Sequence, residues 1–300
     1  SQNNTGLTNN EINKLCGDRK GAMYIISGND LTRFDLYKQK CSLLCQGEVY
    51  DMQYCNDTLW VLYKGAIYYY TEKEKKLTFF CEIKQEEKKV YAVHLLVDAD
   101  RLWVLAGDNL FVIRKNNPLK KELLGTFKHV RCLFKDSSEN LWIGTWNGLY
   151  CISVDKSIRY FTKCVGGSEQ GLSDVQVRCV LEDNARRLWI GTFLGLDCFD
   201  PLANKWTHYN HSGDSPNSLS HISVLSLYKD TQGNIWAGTY YGGANIFNPD
   251  ENGSHFYHAE PLREGSLSYP IVGKMTEDGE GNLWICTEGG GLNRFNRATG

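Results

Sequence analysis

Three aromatic residues recur at one position of a repeated pattern, and their side chains are suited to binding a sugar. Trp146, Phe193 and Tyr240 each lie four residues after a tryptophan that follows Leu or Ile. An aromatic plane offers an apolar surface to the C–H face of a sugar, and short polar side chains offer partners to its hydroxyl groups. A concave site of this composition is the default form of a ligand pocket. The neighbours predicted for such a site are Asn147, Tyr241, His221, Tyr269 and Asp108.

A second interpretation of these aromatic residues is structural. Side chains at equivalent positions of a repeat can pack between neighbouring units, or they can contact another domain of a longer protein. The sequence leaves both interpretations open beside ligand binding. Arg178 and His221 are expected near the same loops, where a lone charge is often solvated. Four further histidines are expected at the surface: His208, His211, His255 and His258.

Catalytic chemistry has weaker support than binding. The turn from Asp230 to Trp236 is similar to the Asp-box of sialidase propellers, and some antibiotic-inactivating lyases are also propellers. A sialidase needs several arginines that clamp a carboxylate, a tyrosine nucleophile and an acid. The arginines of this chain are not expected to recur at one position of the loops, and no His or Glu pair shares an equivalent loop. The sequence therefore predicts no catalytic residue, no metal site and no cofactor.

Six Leu-Trp or Ile-Trp pairs divide the chain into repeats. Their tryptophans are separated by 43, 39, 47, 47 and 48 residues, and a period of this size is typical of repeat architectures such as propellers. A seventh, weaker copy at the start has Tyr in the position of Trp. The repeats are therefore centred near Tyr24, Trp60, Trp103, Trp142, Trp189, Trp236 and Trp284.

Each repeat contains four short segments that favour β-strands. Runs rich in Val, Ile, Tyr, Phe, Trp and Thr alternate with turns that contain Asp, Asn and Gly. Asp at the start of a turn can accept backbone hydrogen bonds, and the Gly three residues later can adopt positive φ. Such turns join antiparallel neighbours, so seven repeats predict an all-β, seven-bladed β-propeller of four-stranded blades. The tryptophans are expected to pack between the blades.

The last blade is predicted to be incomplete. The fourth strand of copy five begins 16 residues after Trp189, and the same offset from Trp284 falls on Gly300. The residues before the first copy are too few to supply a strand. We therefore expect residues 1–300 to form a single propeller that is a fragment of a longer protein. Its last blade is expected to have three strands, or to borrow one from a neighbouring chain.

Composition argues against several classes of function. The formal net charge is −2 and the basic residues are scattered, so direct contact with nucleic acid is not expected. No apolar stretch reaches the ~18 residues that cross a bilayer, so membrane attachment is expected only through a part outside this chain. The charge runs at 72–76 and 85–89 are expected to be solvated loops or strand edges.

The 11 cysteines are expected to be mainly buried free thiols. A position that recurs in successive repeats indicates core packing, where Cys behaves as a small apolar side chain. Cys41 and Cys45 are the pair in which a disulfide bond is to be sought, and cysteine usage does not decide the redox compartment. The recurring cysteines are Cys132 and Cys179, ten residues before a Trp, and Cys151 and Cys198, nine residues after one.

The best-preserved copies resemble the two-component regulator propeller repeat. The motifs that carry the resemblance are residues 278–300, Leu141-Trp-Ile-Gly-Thr-Trp-Asn-Gly-Leu149 and Gly171-Leu-Ser-Asp-Val175. The similarity is strong over residues 125–300 and weak over residues 6–124. Proteins with such repeats are periplasmic sensor regions of hybrid two-component systems. In these systems two propellers precede an immunoglobulin-like domain, a membrane helix, a histidine kinase, a receiver and a DNA-binding domain.

The resemblance implies that this chain is the first, periplasmic propeller of such a sensor. Many members of the family sense oligosaccharides released from complex glycans, so the implied partners are an oligosaccharide and a second propeller of the same protein. The chain has no phosphate-binding Gly loop or phosphoacceptor His motif, so it is not expected to be an enzyme itself. One alternative is an interaction scaffold or homodimer with the ligand site elsewhere, and another is a propeller lyase or glycosidase.

Overall fold

The chain is built from β-strands, 27 of them among the residues that the computed structural model describes. The described residues are 7, 9, 11–83, 92–164, 170–214, 218–251, 254–260, 263, 265–297 and 299–300. The chain divides into two compact units, residues 1–128 with 277–282, and residues 129–276 with 283–300.

The first unit contains three four-stranded antiparallel sheets, and in each sheet the strands pair in chain order. Blade 1 consists of β1 (Ile12–Gly17), β2 (Ala22–Ser27), β3 (Asp30–Asp35) and β4 (Lys40–Cys45). Blade 2 consists of β5 (Val49–Cys55), β6 (Thr58–Tyr63), β7 (Ala66–Tyr70) and β8 (Leu77–Glu82). Blade 3 consists of β9 (Ala92–Val97), β10 (Arg101–Ala106), β11 (Asn109–Arg114) and β12 (Asn117–Thr126).

The second unit contains three more four-stranded sheets and the three-stranded last sheet. Blade 4 consists of β13 (Val130–Lys135), β14 (Leu141–Thr145), β15 (Gly148–Ile152) and β16 (Ile158–Phe161). Blade 5 consists of β17 (Val177–Glu182), β18 (Leu188–Thr192), β19 (Gly195–Asp200) and β20 (Lys205–Tyr209). Blade 6 consists of β21 (Val224–Lys229), β22 (Ile235–Thr239), β23 (Ala244–Phe247) and β24 (Ser254–Tyr257). Blade 7 consists of β25 (Val272–Glu277), β26 (Leu283–Thr287) and β27 (Gly291–Phe295).

This architecture is an all-β seven-bladed propeller, and it confirms the fold that the repeats predict. Within the described residues, six blades have four antiparallel strands and the last blade has three. The fourth strand of blade 5 begins at Lys205, as the offset from Trp189 predicts. The incomplete last blade is therefore also confirmed.

The repeated tryptophans fill the cores between consecutive blades. Trp142, Trp189 and Trp236 are at most 2% exposed. The ring of Trp189 lies 5.0 Å from that of Phe247 in the next blade, and similar packing surrounds the other two. Burying an aromatic side chain removes about 150–250 Å² from water, which corresponds to roughly 4–6 kcal/mol before entropy is counted. These residues therefore hold neighbouring blades together.

The turn before each Trp strand also positions the tryptophan. In blade 5 the Asp183 carboxylate accepts hydrogen bonds from the backbone N–H of Ala185 and Arg187, each at 2.9 Å. It also accepts the indole N–H of Trp189 at 2.9 Å. The same carboxylate–indole bond joins Asp136 to Trp142 (2.7 Å) and Asp230 to Trp236 (2.9 Å). The Asp-box likeness is thus explained by turn and core structure.

A β-bulge recurs near the start of the first strand of a blade. In β13 the register passes from Val130 opposite Thr145 to Cys132 opposite Gly144, which leaves Arg131 as an extra residue. A bulge re-aims the side chain of the extra residue and interrupts the alternation of the strand. The equivalent extra residues are Arg178 in β17 and Leu225 in β21.

All 11 cysteines lie among the described residues, and all are free thiols. Cys151, Cys179 and Cys198 are buried, as their repeat positions predict, whereas Cys132 is partly buried. Cys41 and Cys45 do not form a disulfide bond. They lie four residues apart in the single strand β4, so their Cα atoms are about 13 Å apart, beyond the ~7 Å that a disulfide can bridge.

The charge run at 72–76 does more than face solvent. The carboxylate of Glu72 accepts hydrogen bonds from the hydroxyl of Tyr24 at 2.8 Å and from Nε of Arg33 at 2.5 Å, which joins blade 2 to blade 1. The second charge run, 85–89, lies outside the described residues. In the portion of the chain that is described, no helix is long and apolar enough to cross a membrane.

Candidate ligand-binding face

Two loops lie together at one end of each blade in the second unit. The loop that follows the Trp strand donates a backbone N–H to a carbonyl of the loop that enters the blade. These bonds join Trp146 to His129 (3.2 Å), Phe193 to Gln176 (3.1 Å), Tyr240 to Ser223 (3.0 Å) and Glu288 to Ile271 (3.1 Å). The shared end agrees with the sequence prediction. We call it the loop face, and it comprises residues 129–131, 146–147, 174–178, 193–194, 221–225, 240–241, 269–274 and 288–289.

The threonine of the Gly-Thr signature shapes the loop after the Trp strand. In blade 4 the buried hydroxyl of Thr145 donates to the carbonyl of Gly148 at 2.9 Å and accepts the backbone N–H of Asn147 at 3.0 Å. The equivalent threonines of blades 5, 6 and 7 donate to a glycine carbonyl in the same way. Because the threonine side chain is directed under the loop, the residue that follows it is directed outward.

The aromatic residues at that outward position are exposed. The exposed fraction is 50% for Trp146, 42% for Phe193 and 38% for Tyr240. The tryptophans four residues earlier are at most 2% exposed. The loop aromatics therefore do not pack between blades. Of the two structural interpretations, only contact with another domain still competes with ligand binding.

Two of the exposed rings lie against arginine. The guanidinium carbon of Arg131 is 5.9 Å from the ring centroid of Trp146, and that of Arg178 is 5.0 Å from the ring of Phe193. The ring of His129 also stacks on Trp146, with centroids 5.5 Å apart and an interplanar angle of 15°. A cation–π contact at an exposed site contributes about 0.5–1 kcal/mol. These contacts keep both guanidinium groups at the loop face.

The expectation that arginines do not recur at one position is wrong. Arg131 and Arg178 each precede the Trp of their blade by 11 residues, and each is the extra residue of a bulge. The two positions are 47 residues apart, which equals the spacing of Trp142 and Trp189. This equal spacing is visible in the sequence and indicates that the two arginines occupy equivalent positions of their repeats. The bulge that directs the two side chains is a property of the strand pairing.

The charges of the two arginines act on each other. Burial lowers the pKa of Arg178, and the positive charge of Arg131 lowers it further. Burial also lowers the pKa of the nearby His221, with a smaller contribution from the charge of Arg178. Across the described ranges, neither guanidinium forms an ion pair with a carboxylate. The loop face of blades 4 and 5 is therefore positively charged.

Lys274 is a further cation of the second unit. It occupies in β25 the position that Cys132 and Cys179 occupy in β13 and β17. Burial raises the pKa of the thiols of Cys132, Cys179 and Cys286, and the charge of Lys274 partly opposes this in all three. The charge of Lys274 therefore acts on thiols of blades 4, 5 and 7.

The remaining residues predicted for blade 6 come together. The rings of Tyr240 and Tyr241 are 4.5 Å apart in an edge-to-face arrangement with an interplanar angle of 78°. The imidazole of His221 lies 6.3 Å from the ring of Tyr240. Sequence reasoning therefore found a real cluster of three side chains at the loop face.

The other predicted neighbours are more separate. Asn147 is exposed beside Trp146, and its carbonyl accepts the hydroxyl hydrogen of Tyr160. Tyr269 lies against Gly289 within blade 7. Asp108 belongs to the first unit.

His208 is not the solvated surface residue that the sequence predicts. Its Nδ1 lies 2.7 Å from the Asp197 carboxylate, which is completely buried. Burial raises the pKa of Asp197, although its bonds to His208 and Ser173 oppose this. In the next two blades Asn245 and Asn293 accept the equivalent serine N–H, so the role of Asp197 is to hold the entering loop. His211, His255 and His258 are exposed, as predicted.

Three segments of the chain match the two-component regulator propeller repeat. The matches to that family span residues 125–147, 171–193 and 218–241. Each match runs from the loop that enters a blade to the loop aromatic, so it includes Trp146, Phe193 or Tyr240. No curated protein sequence matches the chain.

The fold is shared with sensors and with enzymes. The extracellular domain of the hybrid two component system BT3049 from B. thetaiotaomicron is 18% identical, with a TM-score of 0.76 over 96% of this chain and 40% of that one. The extracellular domain of BT4673 from the same organism is 19% identical, with a TM-score of 0.75 over 96% of this chain and 38% of that one. Virginiamycin B lyase from Staphylococcus aureus is 12% identical, with a TM-score of 0.70 over 97% of this chain and 96% of the lyase. These similarities show the fold, and the chain spans about two fifths of the two extracellular domains.

Proposed function

We propose that this chain is a periplasmic sensor propeller of a hybrid two-component system and that its loop face recognises an oligosaccharide. The observation that carries the proposal is the contrast between two sets of aromatic residues. Trp142, Trp189 and Trp236 are buried, whereas Trp146, Phe193 and Tyr240 stand exposed at the equivalent loop position of three consecutive blades. The propeller repeats and the likeness to extracellular sensor domains support the class of protein and its location.

The loop face has the chemistry that a sugar needs. The exposed rings offer apolar planes to the C–H faces of successive sugar units. His221, the Tyr240 and Tyr241 hydroxyl groups and the Asn147 amide offer donors and acceptors to sugar hydroxyls. The loops are anchored by threonine–glycine hydrogen bonds, so little conformational entropy is lost when a ligand orders them.

The same residues do not favour a catalytic role. Tyr240 is a tyrosine whose pKa the charge of Arg178 affects, and its hydrogen bond with Tyr241 raises that pKa, which makes it a poor nucleophile at neutral pH. The buried carboxylate of Asp197 is occupied by His208 and Ser173. Binding without turnover is therefore the chemistry best supported, with the signal passed to kinase and DNA-binding domains outside this chain.

An interaction scaffold is the second candidate, and the outer edge of β27 favours it. Among the described residues no strand pairs with that edge, and a cavity of about 420 Å³ beside it is lined by Tyr257, Phe295 and other residues. An exposed strand edge invites pairing with another chain. On this reading the chain docks a second propeller or a second copy, and the ligand binds elsewhere.

The proposal is tested by a thermal-shift screen of the chain against oligosaccharides from plant, host and microbial polysaccharides. We expect one glycan class to raise the melting temperature without being consumed. Trp146→Ala or Tyr240→Ala should weaken binding by about 10- to 100-fold, the usual effect of removing a central aromatic contact. Phe256→Ala, which removes an exposed aromatic residue from the outer strand β24, is the matched control and should bind normally.

Three outcomes would count against the proposal. Equal loss of binding in Phe256→Ala and Trp146→Ala would place the ligand away from the loop face. If no oligosaccharide raised the melting temperature, and the chain self-associated or docked a second propeller, the scaffold would be favoured. Release of a product from any glycan would favour an enzyme.

A further inference from the structure

We propose that the loop face recognises the acidic group of an oligosaccharide, a carboxylate or a sulfate, through Arg131 and Arg178. This inference rests on the proposed function, because it names the class of sugar that the same site would bind. The aromatic rings of Trp146 and Phe193 would contact the sugar rings, and the guanidinium groups beside them would bind the charge.

The placement of the two arginines suits an anionic ligand. Both are the extra residues of bulges in the first strands of adjacent blades, so they reach the loop face at equivalent positions. A guanidinium group presents five N–H donors in a planar fork that matches a carboxylate or sulfate. A guanidinium that lies over an aromatic ring keeps the donors at its edge available for a second partner.

Several arginines elsewhere in the described residues form ion pairs with a carboxylate, and Arg131 and Arg178 do not. Arg33 contacts Glu72 at 2.5 Å, Arg187 contacts Asp183 at 2.7 Å and Arg263 contacts Glu260 at 2.9 Å. Over the same described residues, Arg131 and Arg178 contact no carboxylate, although Arg178 is partly buried. Like charges that are close together and partly desolvated destabilise each other. An anion bound between them would remove that repulsion and supply the partner that the protein does not.

The nearby carboxylates do not neutralise the pair. Asp174 is the carboxylate whose charge acts on Arg178, and it accepts the backbone N–H of Gln176 at 2.9 Å. Glu288 lies in the loop of blade 7, where its charge acts on Tyr240. Lys274 contributes a further positive charge within the same unit. In blades 4 and 5 the loop face thus carries two guanidinium groups against one carboxylate.

The test compares ligands that differ only in charge. Isothermal titration of the chain is carried out with tetragalacturonate and with its fully methyl-esterified form. Hyaluronan hexasaccharide is compared with its methyl ester, and a keratan sulfate hexasaccharide is compared with its desulfated form. We expect at least one acidic member to bind tenfold or more tightly than its neutral counterpart. The hyaluronan and keratan sulfate arms distinguish recognition of a carboxylate from recognition of a sulfate.

Three variants assign the effect to the loop face. Arg131→Gln and Arg178→Gln are each expected to weaken binding of the acidic member by tenfold or more, and to leave the neutral member within twofold. Arg159→Gln is the matched control, because Arg159 also lies over an aromatic ring, 5.7 Å from Phe161, but on the outer strand β16. It removes the same charge and should bind like the parent chain.

Failure of this inference can be told apart from failure of the proposed function. Equal affinity of the parent chain for acidic and neutral members, or normal binding by both loop-face variants, would overturn recognition of the acidic group while sensing of an oligosaccharide stood. If Arg159→Gln weakened binding of the acidic member as much as the loop-face variants do, the effect would come from net charge alone, and recognition through Arg131 and Arg178 would also be overturned. Absence of binding to every acidic and neutral glycan would overturn both.

Discussion

Individual side chains of one type have different roles in this chain, and their hydrogen bonds show which role each has. Trp142 is buried and its indole N–H is bonded to Asp136, whereas Trp146, four residues later, is half exposed. Trp60 lacks an Asp six residues before it, and its buried indole nitrogen has no hydrogen-bond partner among the described residues. The period of the repeat locates the tryptophans in the sequence. An Asp six residues earlier identifies those whose indole N–H has a hydrogen-bond acceptor.

The carboxylate–indole bond predicts a stability effect at this scale. Asp183→Ala should lower the free energy of unfolding by about 2–3 kcal/mol, because it leaves a buried indole N–H and two backbone N–H groups without their acceptor. Urea unfolding followed by tryptophan fluorescence measures the change.

The control for this prediction is Asp200→Ala. Asp200 also accepts two backbone N–H groups, those of Leu202 and Ala203, but at an exposed turn with no indole. Its loss should cost less than about 1 kcal/mol. Equal destabilisation by the two variants would show that the turn, rather than the tryptophan, accounts for the effect.

At the scale of the strand, the Gly of the Gly-Thr signature is required by the first strand of its own blade and by the neighbouring blade. A Cβ on Gly191 would collide with Sγ of Cys179 and would lie 2.8 Å from Val224 in the next blade. Blade 7 has Cys286 at this position, and its thiol contacts the Lys274 carbonyl at 2.7 Å. The first strand of blade 7 has Lys274 at the position where blades 4, 5 and 6 have Cys132, Cys179 and Ser226, the side chains that a Cβ on the glycine would meet.

The packing of Gly191 gives a prediction at the element scale. Gly191→Ala should lower the free energy of unfolding by about 1–3 kcal/mol, the usual cost of overpacking a close-packed core. Gly213→Ala is the control, since a Cβ at that position meets nothing within 4 Å. Urea unfolding of both variants measures the difference, and an unchanged stability of Gly191→Ala would mean that Cys179 and Val224 shift at little cost to make room for the added methyl group.

The strands themselves were predictable because their signals are local. Turn residues such as Asp230 and Gly233 dictate where a hairpin reverses, and the offset from Trp189 locates the fourth strand at Lys205. The bulges at Arg131 and Arg178 were not predicted. A bulge depends on the register between two strands, and alternation within one strand does not reveal it.

For the molecule as a whole, the thiols give a direct test of the covalent structure. Without prior reduction, the chain unfolded in guanidinium should expose 11 thiol groups that react with a thiol reagent. In the native state at pH 8 most should react slowly, because burial raises the pKa of Cys81 and Cys132 to about 11 and that of Cys179 and Cys286 to about 12. The thiolate is the reactive form. A count of 9 in the unfolded chain, rising to 11 after reduction, would reveal a disulfide bond.

The sequence by itself determined the all-β class, the seven blades, the short last blade and the end of each blade where loop aromatics collect. These follow from local rules: the period of the tryptophans, the turn chemistry of Asp and Gly, and the strand preference of the residues between them. It also located Trp146, Phe193 and Tyr240, because a position repeated in successive blades keeps the same place in each blade.

Only the tertiary structure decided which side chains are exposed, paired or charged. His208 is predicted at the surface by type, yet its partner Asp197 lies on the adjacent strand and is buried. Arg131 and Arg178 are far apart in sequence, and their mutual repulsion arises only when β13 and β17 lie in adjacent blades. Burial and electrostatic interaction depend on distances between residues from different repeats. Those distances are set by how the strands and blades pack, which local sequence signals do not specify.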